Sequence, residues 1–282
     1  MVINGIILVN KEKGISSNSV VNKVKHLINA DKAGHLGTLD VLGEGLLPVS
    51  IGKGTKLFNY FLNKDKVYRT IYKFGETTDT LDLEGEITDK NDVEVTADMI
   101  LKIIPEFIGK QSQMPPKYSA KKINGKTAYS LARGGVDFEL KPKEIEIYSI
   151  KLIKQVEYNT FEFEIHCGSG TYIRSICRDM ASKMSTFGVM SYIQRTKCGG
   201  FHIKNSYTLD DIRSGNYSII SLDDLFDFQS VDFGTQLGDK LLNGCEIEFS
   251  NKDSYIKAYK DGIFLGVCNV KNNKAKLELR LV

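Results

Sequence analysis

No stretch of the chain approaches the roughly 18 apolar residues of a membrane-spanning helix, so no membrane partner is expected. Met1 to Ile7 is apolar but short, with neither a basic n-region nor a small-residue cleavage site, so no signal peptide is expected. The cysteines (Cys167, Cys177, Cys198, Cys245 and Cys268) are odd in number and form no C-x-x-C pair. That argues against a disulfide framework and against zinc, and reduced thiols without an export signal predict the cytoplasm. Neither phosphate loop, G-x-x-x-x-G-K-[ST] or G-x-G-x-x-G, is present. The four histidines, His26, His35, His166 and His202, are scattered and outside any H-E-x-x-H, so no metal is expected. The acidic "TDTLDLEGE" lacks the D-x-[DN]-x-[DN]-G order of a calcium loop and reads as a solvated loop. The net charge, +3, is too small to name a partner.

What is present is unevenly spread. The 282 residues suffice for one large domain or two smaller ones. From Glu76 to Asp98 nine acids stand against Lys90. From Lys110 to Lys143 eight bases stand against Asp137 and Glu139, with Tyr118 and Tyr129 interleaved. A phosphate backbone would be drawn to such a block; the plainer alternative is a solvated face with chance clustering.

Local patterns predict alternating elements. "GIILVNKEKG" reads as a strand turning at Gly14, followed by a helix capped by Ser16 or Ser17 with Val20, Val21, Val24, Leu27 and Ile28 on one face. "VYRTIYKFG" reads as a strand ended by Gly75, and "TADMILKIIPEFIG" as a helix stopped near Pro105. Asn124-Gly125 is a turn signal before a short helix, Thr127 to Arg133, closed by Gly134-Gly135. Two strands and a Gly-Ser-Gly turn lead into a helix striped by Ile173, Ile176 and Met180. "GGFHIKNSYTLDDI" gives a strand and a Thr208-capped helix. Beyond Gln229, short alternating segments broken by Asn-Gly, Lys-Asp-Gly and Asn-Asn suggest a separate small β-domain.

Several residues could carry chemistry. "GHLGTLDVLGEGLLPVSIGKGTKL", from Gly34 to Leu57, sets six glycines around Asp40. Such a backbone makes tight turns or admits a close approach. Asp40 is then either a turn-capping residue or a nucleophile or base at the mouth of the loop. Arg174, one turn into a helix after a glycine turn, suits an anion such as phosphate or Asp40, or else pairs with Asp179 at the surface. Tyr68 and Tyr172 are either stacking platforms for a base or half-buried core.

In order, "GHLGTLDVLGEGLLPVSIGKGTKL", "KVYRTIYKFGETTDTLDLEGEI", "PPKYSAKKINGKTAYSLARGG" and "IHCGSGTYIRSICRDM" resemble the four motifs of the TruB family of pseudouridine synthases. "LVNKEKGISSNSVV" resembles that family's K-P-x-G-x-T-S segment, and the tail resembles the small RNA-binding PUA-type barrel of many members. The sequence departs from the pattern at Val41 and Glu12, where proline is usual, and at Gly43 and Glu44 in place of the small residues that commonly follow the aspartate.

The resemblance implies isomerisation of uridine-55 in the T loop of tRNA, without cofactor or metal. Asp40 falls on the nucleophile and Arg174 on its arginine partner. Tyr68 falls on the tyrosine that stacks on the base, a candidate to take a proton from the sugar. Tyr172 and Lys56 fall on active-site neighbours, and His35 on the histidine that fills the gap left by the flipped base. Lys121, Lys122 and Lys126 belong to a basic RNA clamp at about 110–143. Extruding a base costs a few kcal/mol, which a residue filling the vacancy offsets in part. An arginine helps a desolvated carboxylate stay ionised.

The implied fold is α+β: a mixed, largely antiparallel sheet with flanking helices over 1–228, then a PUA-like β-barrel over 229–282. The tRNA T stem-loop is the expected partner of a monomer with no obligate protein partner. Three rivals are a non-catalytic RNA-binding module, the catalytic subunit of a guide-RNA-directed particle, and a carboxylate hydrolase. The last needs a second acid near Asp40, for which Glu44 is the candidate.

Overall fold

Strand Lys66–Phe74 buries every second residue: Lys66, Tyr68, Thr70, Tyr72 and Phe74 face inward, and Gly75 ends it at φ +100°. This period-two burial, rich in aromatic and β-branched side chains, is what a sheet with one packed face requires. In the computed structural model, which describes residues 3–119, 121–123 and 125–282, the strand lies within a nine-stranded mixed sheet. The order across it is Gly5–Lys11, Glu44–Ile51, Gly188–Cys198, Lys66–Phe74, Thr160–Cys167, Lys143–Glu157 and Gly109–Gln113. Ala33–His35 and Phe201–His202 add short side pairings. Glu44–Ile51 meets Gly188–Cys198 in parallel, through Gln194↔Glu44 and Arg195↔Gly45, whereas the other junctions are antiparallel. The expected mixed, largely antiparallel sheet is what forms.

Four helices contribute to the core on the packed face, Ala97–Ile103 and Leu209–Arg213 among them, and the other two lead to the site. Ser17–Leu27 starts where the Ser16 hydroxyl accepts from the Ser19 N–H at 3.1 Å. Ile173–Lys183 presents Ile173, Ile176 and Met180. Their buried faces share one cluster with Ile7, Val49, Tyr72 and Phe163. Each such side chain contributes about 1.5–3 kcal/mol by leaving water, which fixes both helices against the sheet. The Tyr72 hydroxyl donates to the Ile173 carbonyl at 2.8 Å, tying the central strand to the first residue of the second helix.

Three expectations need correction. The sequence pattern assigns no element to 185–198, yet Gly188–Cys198 is a central strand. Register shifts at Met190/Tyr192 and Arg195/Lys197 break its alternation, and it buries Arg195, so its pattern does not read as a core strand. The tail is not all strand, because Gly234–Leu242 is a helix. Its two glycines, Gly234 and Gly238, lower helix propensity enough to hide it. The acidic "TDTLDLEGE" is not wholly solvated, because Asp82 is 5% exposed.

The basic segment forms a hairpin, Lys122–Ile123 with Lys126–Thr127, and then helix Ala128–Arg133. Of its Asn124-Gly125 turn signal, Asn124 lies outside the described residues, while Gly125 has φ +84°. After the Thr208-capped helix Leu209–Arg213, a five-stranded sheet runs Gln229–Asp232, Ser254–Lys260, Ile263–Lys271, Lys274–Arg280, Ile247–Glu248. Asp261-Gly262 and Asn272-Asn273 have paired positive φ at its hairpins, as tight primed turns require. Val267 of this sheet and Leu281, just past its last strand, pack with Leu36, Leu57 and Leu222. Among the described residues no helix is long and apolar enough to cross a membrane.

Candidate active site

The Gly168-Ser169-Gly170 turn delivers the chain into helix Ile173–Lys183, with Gly170 at φ +78°. Gln113 fixes the entry from both sides: its Oε1 accepts from the Tyr172 N–H at 2.9 Å and its Nε2 donates to the Tyr172 carbonyl at 3.1 Å. Arg174, 7% exposed, follows in the first turn of that helix. Its Nη2 lies 2.8 Å from Asp40 Oδ2, and its Nη1 lies 3.1 Å from Asp82 Oδ2. The same nitrogens donate to the carbonyls of Tyr118 and Thr80 at 3.0 and 2.9 Å. The arginine's planar fork thus grips two carboxylates at once. Asp179, the alternative partner, pairs with Arg178 instead.

The acid that shares Arg174 with Asp40 is Asp82, not Glu44. Its carboxylate accepts from the Thr80 hydroxyl at 2.7 Å and the Glu84 N–H at 3.1 Å. Glu44 accepts from the Tyr192 hydroxyl at 2.7 Å and from Gln194 at 3.1 Å. The acid-rich loop concealed Asp82, although its place at the end of "TDTLD" in the second family motif was an available signal.

Asp40 rides on a loop fastened from several sides. The Ser17 hydroxyl accepts from the Leu39 N–H at 2.9 Å and donates to the Leu39 carbonyl at 2.8 Å. Lys11, buried, donates from Nζ to the carbonyls of Gly43, Glu12 and Val41. Burial pulls the Lys11 ammonium down to about 8, against the attraction of Asp40 and Glu44. Arg195, 1% exposed, donates to the carbonyls of Gly37, Thr38 and Leu46. Neither Lys11 nor Arg195 was singled out from sequence.

Asp40 and Arg174 border two cavities. One, about 350 Å³, is also lined by Lys66, Tyr68, Tyr172 and Arg195. The other, about 460 Å³, is also lined by His35, Asp82, Tyr118 and Tyr129. Ser119 lines both, and its Oγ, like His35 Nδ1, is buried without a hydrogen-bond partner among the described residues. Unpartnered buried polar atoms at a cavity wall are positions a ligand can satisfy. Burial pushes the Tyr68 phenol up to about 12, opposed in part by Arg195, so it is protonated at neutral pH. Burial and the Arg195 charge lower His35, which keeps its ring neutral there.

Asp40, Tyr68, Tyr172, Arg174 and His35 are therefore brought together. Lys56 is not. It is exposed, lines neither cavity, and donates from Nζ to the Arg280 carbonyl of the second sheet at 2.8 Å. Lys121, Lys122 and Lys126 lie on or beside the hairpin whose last residue, Thr127, lines the second cavity. Lys121 donates to the Lys141 carbonyl at 2.7 Å, while Lys122 and Lys126 are exposed.

The family description "TruB family pseudouridylate synthase (N terminal domain)" matches residues 25–173. The tRNA pseudouridine synthase B of Caldanaerobacter subterraneus subsp. tengcongensis is 35% identical over 98% of each chain. That of Clostridium perfringens is 35% identical over 99% of each chain. Among solved structures, a Cbf5-Nop10-Gar1 complex contains a chain that aligns with 99% of this chain over 85% of its own length, at a TM-score of 0.71 and 20% identity, a likeness of fold. Likeness sustained from end to end at 35% identity, with the family segment running through the glycine-rich loop, the Tyr68 strand and the basic block, has one consequence: the chain belongs to the TruB family of pseudouridylate synthases and is an isomerase.

Proposed function

We propose that the protein converts uridine-55 in the T loop of tRNA to pseudouridine, with Asp40 as the nucleophile. The observation that carries this reading is the placement of one carboxylate, held by a buried arginine, between two cavities. A flipped uridine enters the cavity of Tyr68, and His35 occupies the space it vacates. Relatives named tRNA pseudouridine synthase B support the substrate class.

The chemistry moves a bond within one nucleotide. The Asp40 carboxylate assists departure of the base from C1′, and the C1′–N1 bond breaks with its electron pair on uracil. The base turns within the cavity, C5 bonds to C1′, the proton on C5 passes to solvent, and N1 takes one up from solvent, so that the product is an isomer of the substrate. Arg174 holds the carboxylate in place throughout, and desolvation inside the cavity strengthens that pairing. Tyr68 stacks on the base. Its phenol is protonated in the resting site, so accepting a sugar proton would first require ionisation against burial. Tyr172 and Ser119 line the base's cavity, and the unpartnered Ser119 hydroxyl is available to the base.

Residues 1–228 form the catalytic unit in this reading, with 110–143 as a clamp on the RNA and 229–282 as a PUA-like RNA-binding unit. The enzyme works in the cytoplasm as a monomer and needs no obligate protein partner. The test is tritium release from T-loop RNA carrying 5-tritiated uridine, with wild type beside Asp40→Asn. Stoichiometric release by wild type and none by the variant is expected. Full turnover by Asp40→Asn refutes the nucleophile, and RNA binding by wild type without release favours a binding module.

A further inference from the structure

Arg195 is the largest of the fully buried side chains, and no motif or role accounts for it. A buried guanidinium is costly unless its donors are all engaged. Here they meet carbonyls: Nε to Leu46 at 2.8 Å, Nη2 to Gly37 at 3.0 Å and Nη1 to Thr38 at 3.3 Å. Gly37 and Thr38 precede Asp40 and Leu46 follows it, so one side chain holds both ends of the segment that carries the carboxylate.

The backbone of Arg195 holds the same segment. Its parallel pairing with Gly45 joins the Asp40 loop to the central strand. Gly45 has φ +97°, and a Cβ there would stand 2.5 Å from the Arg195 carbonyl oxygen. Gly37 has φ +138°, and a Cβ there would meet Arg195 Nη1 at 3.6 Å. Two of the glycines around Asp40 are thus the two points where the segment closes on Arg195. Any side chain at Gly45 would push strand and loop apart, and both positions use a conformation that glycine adopts freely.

We propose that Arg195 is a positioning residue for the isomerisation: it clamps 37–46 at both ends and thereby sets the Asp40 carboxylate where the two cavities meet Arg174. The inference rests on the reading of Asp40 as nucleophile. It also explains why the side chain is arginine. Three diverging carbonyls need three donors in a rigid plane, and the guanidinium supplies them. A lysine would keep the charge but gather its donors on one nitrogen, whereas here Nε, Nη1 and Nη2 each meet a different carbonyl. The freed carbonyls let the loop ends drift, and a drift of about 1 Å at the reacting group costs about a hundredfold in rate.

The test compares Arg195→Lys with wild type in single-turnover tritium release at saturating RNA, in RNA affinity, and in thermal midpoint. The expected rate loss is about a hundredfold with RNA affinity changed less than about threefold, because the clamp acts on the chemical step. A wild-type rate overturns the proposal, as does a parallel loss of rate and affinity, which would mark general loosening. Should Arg195→Lys not fold, Gly37→Ala strains the same end of the loop, because φ +138° disfavours any side chain, and must give the same split between rate and affinity; an unchanged rate there overturns the proposal. Asp40→Asn is run alongside. An active Asp40→Asn sinks the functional reading itself, whereas an inactive Asp40→Asn with a fully active Arg195→Lys sinks only the clamp.

Discussion

Replacing Asp82 with asparagine tests whether Arg174 needs both of its carboxylates. The Arg174 and Asp82 side chains are 8% and 7% exposed, against 50% for Asp40. Asp82→Asn changes the shape little but removes the better-buried counter-charge. Breaking a buried ion pair from one side costs about 3–5 kcal/mol. Here the loss is softened, because Asp40 still lies 2.8 Å from Arg174 and the carbonyls of Thr80 and Tyr118 still accept. A loss of about 2–3 kcal/mol remains. At about 2–4 °C per kcal/mol for a unit of this size, the melting midpoint falls by about 5–10 °C. The full arginine charge then acts on Asp40 alone, which both displaces the carboxylate and reduces its nucleophilicity. Single-turnover rate at saturating RNA is expected to fall at least about tenfold while RNA affinity holds. Differential scanning calorimetry and tritium release measure the two. A variant with wild-type midpoint and rate would show that Asp82 is a bystander. Loss of affinity in proportion to rate would assign it to RNA contact.

The buried Lys11 predicts a pH dependence of stability. Its folded value, about 8, lies below the unfolded 10.5, so between these pH values the unfolded chain holds a proton that the folded chain lacks, and stability rises with pH. Below about pH 8 the full cost of the buried charge, about 3 kcal/mol, is present. Lys11→Met should remove that slope from urea-unfolding curves taken between pH 7 and 10.5, and an unchanged slope would place its origin elsewhere. Replacing Lys121, Lys122 and Lys126 together by alanine should weaken RNA binding and flatten its logarithmic salt dependence by about two to three. An unaltered slope in filter-binding titrations would remove the hairpin from the RNA surface.

Much of the chain is legible residue by residue. The Ser16 and Thr208 caps, the inward alternation of 66–74, the Ile173–Ile176–Met180 stripe and the hairpin turns near Asp261 and Asn272 each follow from neighbours a few positions away. The ordered motifs around Asp40, Tyr68 and Arg174 also point to the family without any coordinates. Less could be read where a strand violates its own period. Gly188–Cys198 is central, but two bulges and a buried arginine disguise it.

Sequence by itself determined the family, most of the local elements and the glycine-rich setting of the carboxylate proposed as nucleophile. Tertiary structure alone decided which acid shares Arg174, that Lys56 turns toward the second sheet, and that Arg195 closes the glycine-rich loop. The reason is the range of the forces involved. Caps and turns are set within one turn of chain, whereas Arg195 meets Leu46 and Gly37 across 149 and 158 residues. A buried cation at such a distance tolerates only the partners that packing brings to it, and no local pattern records which carbonyls those are.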